Sequence, residues 1–119
     1  MVSASEASEQ IALVSHLRKA GILMCAVPNG GKRDKITAQS LSRQGVAKGV
    51  PDLLIFDAPE GSDKRGTALE LKRTNGTPSQ VSPHQRRWLK ELEKRDWNVV
   101  VAFGCLDALK KLRELGYNV

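Results

Sequence analysis

Cysteine is scarce in this chain: only Cys25 and Cys105 occur. Neither belongs to a Cys-x-x-Cys pair or stands at a Cys/His ligand spacing, which argues against both a disulfide framework and a zinc finger. Both fall in apolar stretches, a pattern that fits a reducing cytosol. Long hydrophobic runs are also missing, since no stretch approaches the roughly 20 residues of a membrane helix. The opening Met-Val-Ser-Ala-Ser-Glu lacks the basic-then-apolar order of a secretory signal. These absences lead to the expectation of a cytoplasmic protein with no membrane partner. There is no internal repeat and no low-complexity segment.

Acids are in the minority. Thirteen face nineteen lysines and arginines, for a net charge of +6, which permits a polyanionic partner. The distribution says more than the sum. From Pro28 to Val50, five bases (Lys32, Arg33, Lys35, Arg43, Lys48) meet one acid, Asp34; from Pro51 to Arg73, five acids meet four bases. A basic loop beside an acidic segment suits an enzyme acting on phosphodiesters, although two solvated loops of opposite bias would read the same way.

At 119 residues the chain is expected to form one domain, spanning 1–119. An amphipathic helix is predicted from about Ser5 to Ala20, with Leu13, Leu17 and Ala20 on its stripe, Ile11 and Val14 beside it, and Gly21 as its stop. Ile22–Val27 reads as a strand closed by Pro28. A basic, glycine-containing turn follows, then a weakly helical Lys35–Arg43 and a loop at Gln44–Gly49. This long stretch with little core content is read as a substrate-contacting loop. Pro51–Asp57 and Thr67–Arg73 read as two strands joined by a turn-rich hairpin connection. Ser82 caps the next helix, with Pro83 at its first position and Gln85 three after the cap. Trp88, Leu89 and Leu92 form its apolar stripe, and Arg86, Arg87, Lys90 and Lys94 its opposite face. Asn98–Phe103 is a buried strand, and Gly104 leads into a last helix ended by Gly116. The order α-β-(loop or short helix)-β-β-α-β-α implies a mixed central sheet flanked by helices.

The chemistry-bearing residues concentrate between Gly49 and Arg73. Glu70 and Lys72 are two apart on a strand, so both face one way while Leu69 and Leu71 face the other. Asp52 opens the neighbouring strand. Asp52 and Glu70 together could chelate Mg²⁺ or Mn²⁺, hard ions that prefer oxygen ligands. The Leu71 backbone carbonyl, between the two key side chains, is a candidate ligand, and Lys72 could orient water or stabilise developing charge. Glu9 is read either as a partner of the first helix's dipole or as a further carboxylate for the site. Gln85 is read both as a capping-box partner and as a residue reaching the site from the helix stripe. A Glu-x-Lys strand can also be a plain solvated face. Asp57 and Glu60 are expected to be solvent carboxylates, His16 and His84 surface histidines, and Trp88 a core residue. Lys32, Arg33, Lys35 and Lys48 are assigned to phosphate contacts, which position DNA without reading its sequence.

Pro51-Asp52, an eighteen-residue step to Glu70, and Leu71-Lys72 resemble the motif of the PD-(D/E)xK nuclease superfamily, whose restriction-endonuclease-like α/β core has the same order of elements. A larger ordered set is more specific. Glu9, Val27-Pro28-Asn29-Gly30, Gly49-Val50-Pro51-Asp52, Glu70-Leu71-Lys72 and Ser82-Pro83-His84-Gln85-Arg86-Arg87-Trp88-Leu89 resemble the VRR-Nuc domain, the virus-type replication-repair nucleases, over nearly the whole chain. The resemblance implies Asp52 and Glu70 as metal ligands with Glu9 assisting, Lys72 as the catalytic lysine, Gln85 as a site residue and Asn29 lining the site. It further implies a homodimeric Mg²⁺- or Mn²⁺-dependent endonuclease acting on branched DNA such as four-way junctions. A bacterial host cytoplasm follows, with a phage or mobile-element origin hinted at only through the family. Two alternatives stay open: cleavage of flaps or linear ends by the same chemistry, and a catalytically silent DNA-binding module.

Overall fold

The computed structural model describes residues 5–28 and 34–119. Helix α1 spans Glu6–Lys19, where Ser5 caps it by accepting a hydrogen bond from the Ser8 backbone N–H at 3.1 Å. Leu13 and Leu17, one turn apart, are completely buried. The buried seam is narrower than the periodicity predicts. Ala20 is exposed just past the helix and Ile11 is 70% exposed, because α1 meets the core through Leu13 and Leu17 with Val14 packed beside them.

Strand β1 covers Met24–Ala26 only, shorter than the predicted Ile22–Val27, and lies at one edge of the sheet. Its Cys25 is exposed, not in an apolar interior as its neighbours suggested, since this part of an edge strand lacks cover. Helix α2, Lys35–Arg43, begins at Asp34, whose carboxylate accepts from the Thr37 backbone N–H at 2.7 Å. It has no buried residue, and its Ile36 is 80% exposed.

Strands β2 (Leu53–Ile55) and β3 (Thr67–Lys72) form an antiparallel hairpin with Leu53 opposite Leu69. A single 3₁₀ turn at Pro78–Gln80 precedes α3, Pro83–Lys94. Strand β4, Asn98–Phe103, returns parallel to β3, and α4, Cys105–Leu115, follows at once. The sheet order is β1-β2-β3-β4, antiparallel except for the last pair. The β3–α3–β4 crossover is what a parallel pair requires.

All six residues of β3 are buried. Covering both faces of a strand removes the usual apolar–polar alternation, so Thr67, Glu70 and Lys72 share the interior with Ala68, Leu69 and Leu71. Leu69 and Leu71 join Leu13, Leu17, Leu53, Val100, Ala108 and Leu112 in the main core, under α1 and α4. By strand alternation Ala68, Glu70 and Lys72 face the other way, toward α3. The tail after α4 is tied in by Tyr117, whose hydroxyl lies 2.7 Å from Thr67 Oγ1 and donates to the Asp57 carbonyl at 2.6 Å.

Two substitutions test this division of labour. Leu69→Ala empties a fully buried position and is expected to cost about 2–5 kcal/mol, read as a lower urea midpoint. Ile36→Ser should shift that midpoint negligibly, because the isoleucine already lies in water.

Candidate active site

Asp52 immediately precedes β2, and the antiparallel register brings it beside Glu70. Where the backbone ladder of this hairpin ends, the Asp52 carboxylate acts as a substitute acceptor: its Oδ2 takes the Leu71 N–H at 2.7 Å. In an extended chain a residue's N–H and C=O project to the same edge. The Leu71 carbonyl therefore lies on Asp52's side of β3.

Glu70 is 2% exposed. Gln85 donates from Nε2 to Glu70 Oε2 at 3.0 Å, and Lys72 Nζ stands 3.8 Å from the same oxygen. Glu70 Oε1 is buried and finds no donor among the described residues. The neighbouring Asp52 carboxyl can share a hydrogen bond with Glu70 only if one of the two keeps a proton. Burial, then the Asp52 charge and that shared bond, raise the Glu70 pKa to about 9, with Glu6 adding to the effect and Lys72 opposing it.

Gln85 joins the helix to the site. Its backbone N–H donates to Ser82 Oγ at 3.1 Å, and its Oε1 accepts the Ser82 N–H at 2.8 Å, completing a capping box. The same Oε1 accepts from Lys72 Nζ at 3.1 Å. The two readings of Gln85 from its spacing thus coincide in one side chain. The loop before Asp52 is pressed onto this helix end. A Cβ on Gly49, whose φ is +84°, would meet the His84 backbone carbon at 2.6 Å and the Gln85 nitrogen at 2.8 Å.

Asp52, Glu70, Lys72, Gln85 and the Leu71 peptide are therefore gathered together. Glu9 is placed differently: its Oε2 accepts the Cys105 N–H at 2.5 Å, at the start of α4, where Gly104 offers no capping side chain. The α1 carboxylate felt by Glu70 is Glu6, three residues earlier. Spacing could not separate the two, since both lie in the first turn. Lys35 and Lys48 are exposed, on α2 and on the loop before Gly49. Asn29, Lys32 and Arg33 lie outside the described residues. Asp57 is exposed but accepts the Leu23 N–H at 2.7 Å, so it also secures the sheet edge. Trp88 is partly buried, and His84 and His16 are exposed. Among the described residues no group of three or more His, Cys, Asp and Glu is gathered for a metal ion, and no helix is long and apolar enough to cross a membrane.

An acid pair, Glu70 buried and Asp52 partly so, thus stands with an adjacent ammonium at the open end of a strand hairpin in a mixed sheet. The VRR-NUC domain model matches residues 4–105, and the chain belongs to that family of nuclease domains. Two solved structures are similar to it. One, titled a VRR_NUC domain protein, is 21% identical with a TM-score of 0.74, over 98% of this chain and 93% of that one. The other, titled a VRR_NUC domain, is 25% identical with a TM-score of 0.60, over 96% and 100%. No curated protein matches the chain.

Two outcomes follow. A folded pKa near 9 against the ordinary 4.5 means that the metal-free fold holds a proton the unfolded chain has released between those values. Its contribution to stability is full below pH about 4.5 and is lost as pH rises toward 9. The metal-free protein should therefore melt at a lower temperature at pH 9 than at pH 6, and Glu70→Gln should flatten that dependence in differential scanning fluorimetry. Gly49→Ala should cost about 1–3 kcal/mol through left-handed strain and backbone collision, and should reduce turnover by moving Asp52 away from Gln85. An unchanged melting curve would contradict the close packing described above.

Proposed function

We propose that the chain is a divalent-metal-dependent, structure-specific DNA endonuclease. The observation that carries this reading is the buried Glu70 with an unsatisfied oxygen against Asp52, a pair that repels itself unless a proton or a cation lies between. The donor set fits Mg²⁺ or Mn²⁺: Asp52 and Glu70 would hold the ion, with the Leu71 carbonyl on the same edge and all the donors oxygen. Glu6 would contribute through water from α1, while Glu9 holds the start of α4. When bound, such an ion supplies charge neutralisation at the scissile phosphate and a more acidic attacking water.

The chain's own residues do the rest. Lys72, anchored 3.1 Å from Gln85 Oε1, presents a fixed ammonium beside the acid pair, placed to orient water or to offset charge building on the phosphate. Gln85 holds both Glu70 and Lys72, so the separation of acid and amine is set before substrate arrives. Asn29, Lys32, Arg33, Lys35 and Lys48 would take neighbouring phosphates. We further infer that the substrate is branched DNA such as a four-way junction, cut by a homodimer in the cytoplasm. A pair of symmetric nicks calls for two sites related by a two-fold axis.

Cleavage of four-way, flap and linear duplex DNA at matched concentrations, with Mg²⁺ or Mn²⁺, tests the reading. Junction DNA should be cut fastest. Asp52→Asn and Lys72→Ala should each lower the rate about 10²-fold or more, with little loss of folding. Glu6→Gln should lower the rate without lowering the melting temperature, whereas Glu9→Gln should lower the melting temperature by weakening the cap on α4. Undiminished cleavage by the Asp52 and Lys72 variants would sink the site assignment.

A further inference from the structure

Helix α3 reaches the acid pair with Gln85 and buries Leu89, while its outer surface has no role in the site described above. Arg86, Arg87, Lys90 and Lys94 are all exposed there. Arg87, Lys90 and Lys94 follow the i, i+3, i+7 spacing of one helix face, and Arg86 stands one turn before Lys90. Among the described residues none of the four enters an ion pair; Glu91 on the flank is taken by Arg95 at 2.7 Å. Arg86 spends one N–H on the Val81 carbonyl at 2.9 Å, which holds its guanidinium near the head of the row. The loop carrying Lys48 meets the same end of the helix, through the contact of Gly49 with His84.

From Arg86 to Lys94 the helix rises about 12 Å, the axial length over which one strand of a duplex presents roughly three to four phosphates. Glu91, one turn from both Arg87 and Lys94, feels their charge as well as that of Arg95, so one acid stands against the row and the ridge keeps a net positive charge that an anion across it would offset. We propose that the outward ridge of α3 is a sequence-independent track for a duplex arm of the substrate, running from the Lys48 loop at the head of the helix along Arg87, Lys90 and Lys94. The proposal rests on the nuclease reading for its substrate class, but its own test needs no turnover.

The full chain, with EDTA present, is titrated against a short fluorescein-labelled DNA duplex by anisotropy over a range of salt concentrations. The double variant Lys90→Ala/Lys94→Ala should weaken binding about tenfold and reduce the slope of log affinity against log salt by roughly one per lysine. Lys90→Arg/Lys94→Arg should bind as the parent does. Arg18→Ala/Lys19→Ala, which removes the same charge from the far end of α1, should have a much smaller effect. Equal losses in the two alanine pairs would reduce the effect to net charge and overturn the track; so would an unchanged slope in the ridge variant, or no duplex binding by the parent. If the ridge variants bind normally while Lys72→Ala still abolishes cleavage, the track falls and the active site stands. Ridge-dependent binding by a parent chain that never cleaves would do the reverse.

Discussion

Glu70 sits on the inner side of a strand covered from both directions, with one carboxylate oxygen that finds no donor among the described residues and a second acid beside it. Burying a charge without a partner is among the costlier things a fold can do. Here the cost is met in part by a proton, and the surrounding groups are arranged around that fact. Gln85 donates to one oxygen, Lys72 stands near it, and Asp52 is steadied by a backbone N–H. Active sites commonly store unfavourable electrostatics in this way.

Much of this frame was legible from residue order. Alternation along Thr67–Arg73 separates Leu69 and Leu71 from Glu70 and Lys72, and the register then needs only a hairpin to bring Asp52 across. Ser82, Pro83 and Gln85 mark the start of α3 by local chemistry alone. Properties set by distant packing were not legible. Whether Glu6 or Glu9 approaches the acids depends on where the first turn of α1 lands against α4, and no spacing encodes that. Cys25 and Ile11 read as interior because their neighbours are apolar; an edge strand and a thin helix seam leave them in solvent. The requirement for Gly49 follows from a contact with His84, thirty-five positions later in the chain.

The charge pattern gains direction in three dimensions. Glu70 is the one acid buried among the described residues, with Asp52 beside it, while exposed bases lie on α2, α3 and the loop leading to Asp52. A polyanion approaching such a surface is drawn by long-range attraction to the exposed bases and repelled by the acid pair. Attraction and chemistry are thereby assigned to different groups.

The Oε1 atom of Gln85 receives the Ser82 N–H and the Lys72 ammonium at once, while its Nε2 holds Glu70. A helix terminus ordinarily frays without consequence for the rest of a fold, because its cap serves only the helix. In this chain the first turn of α3 cannot loosen without releasing the amine and the acid together. Local breathing there and loss of the Gln85 contacts to Lys72 and Glu70 are one equilibrium, so the protection of the Ser82 and Gln85 amides against hydrogen exchange should report it.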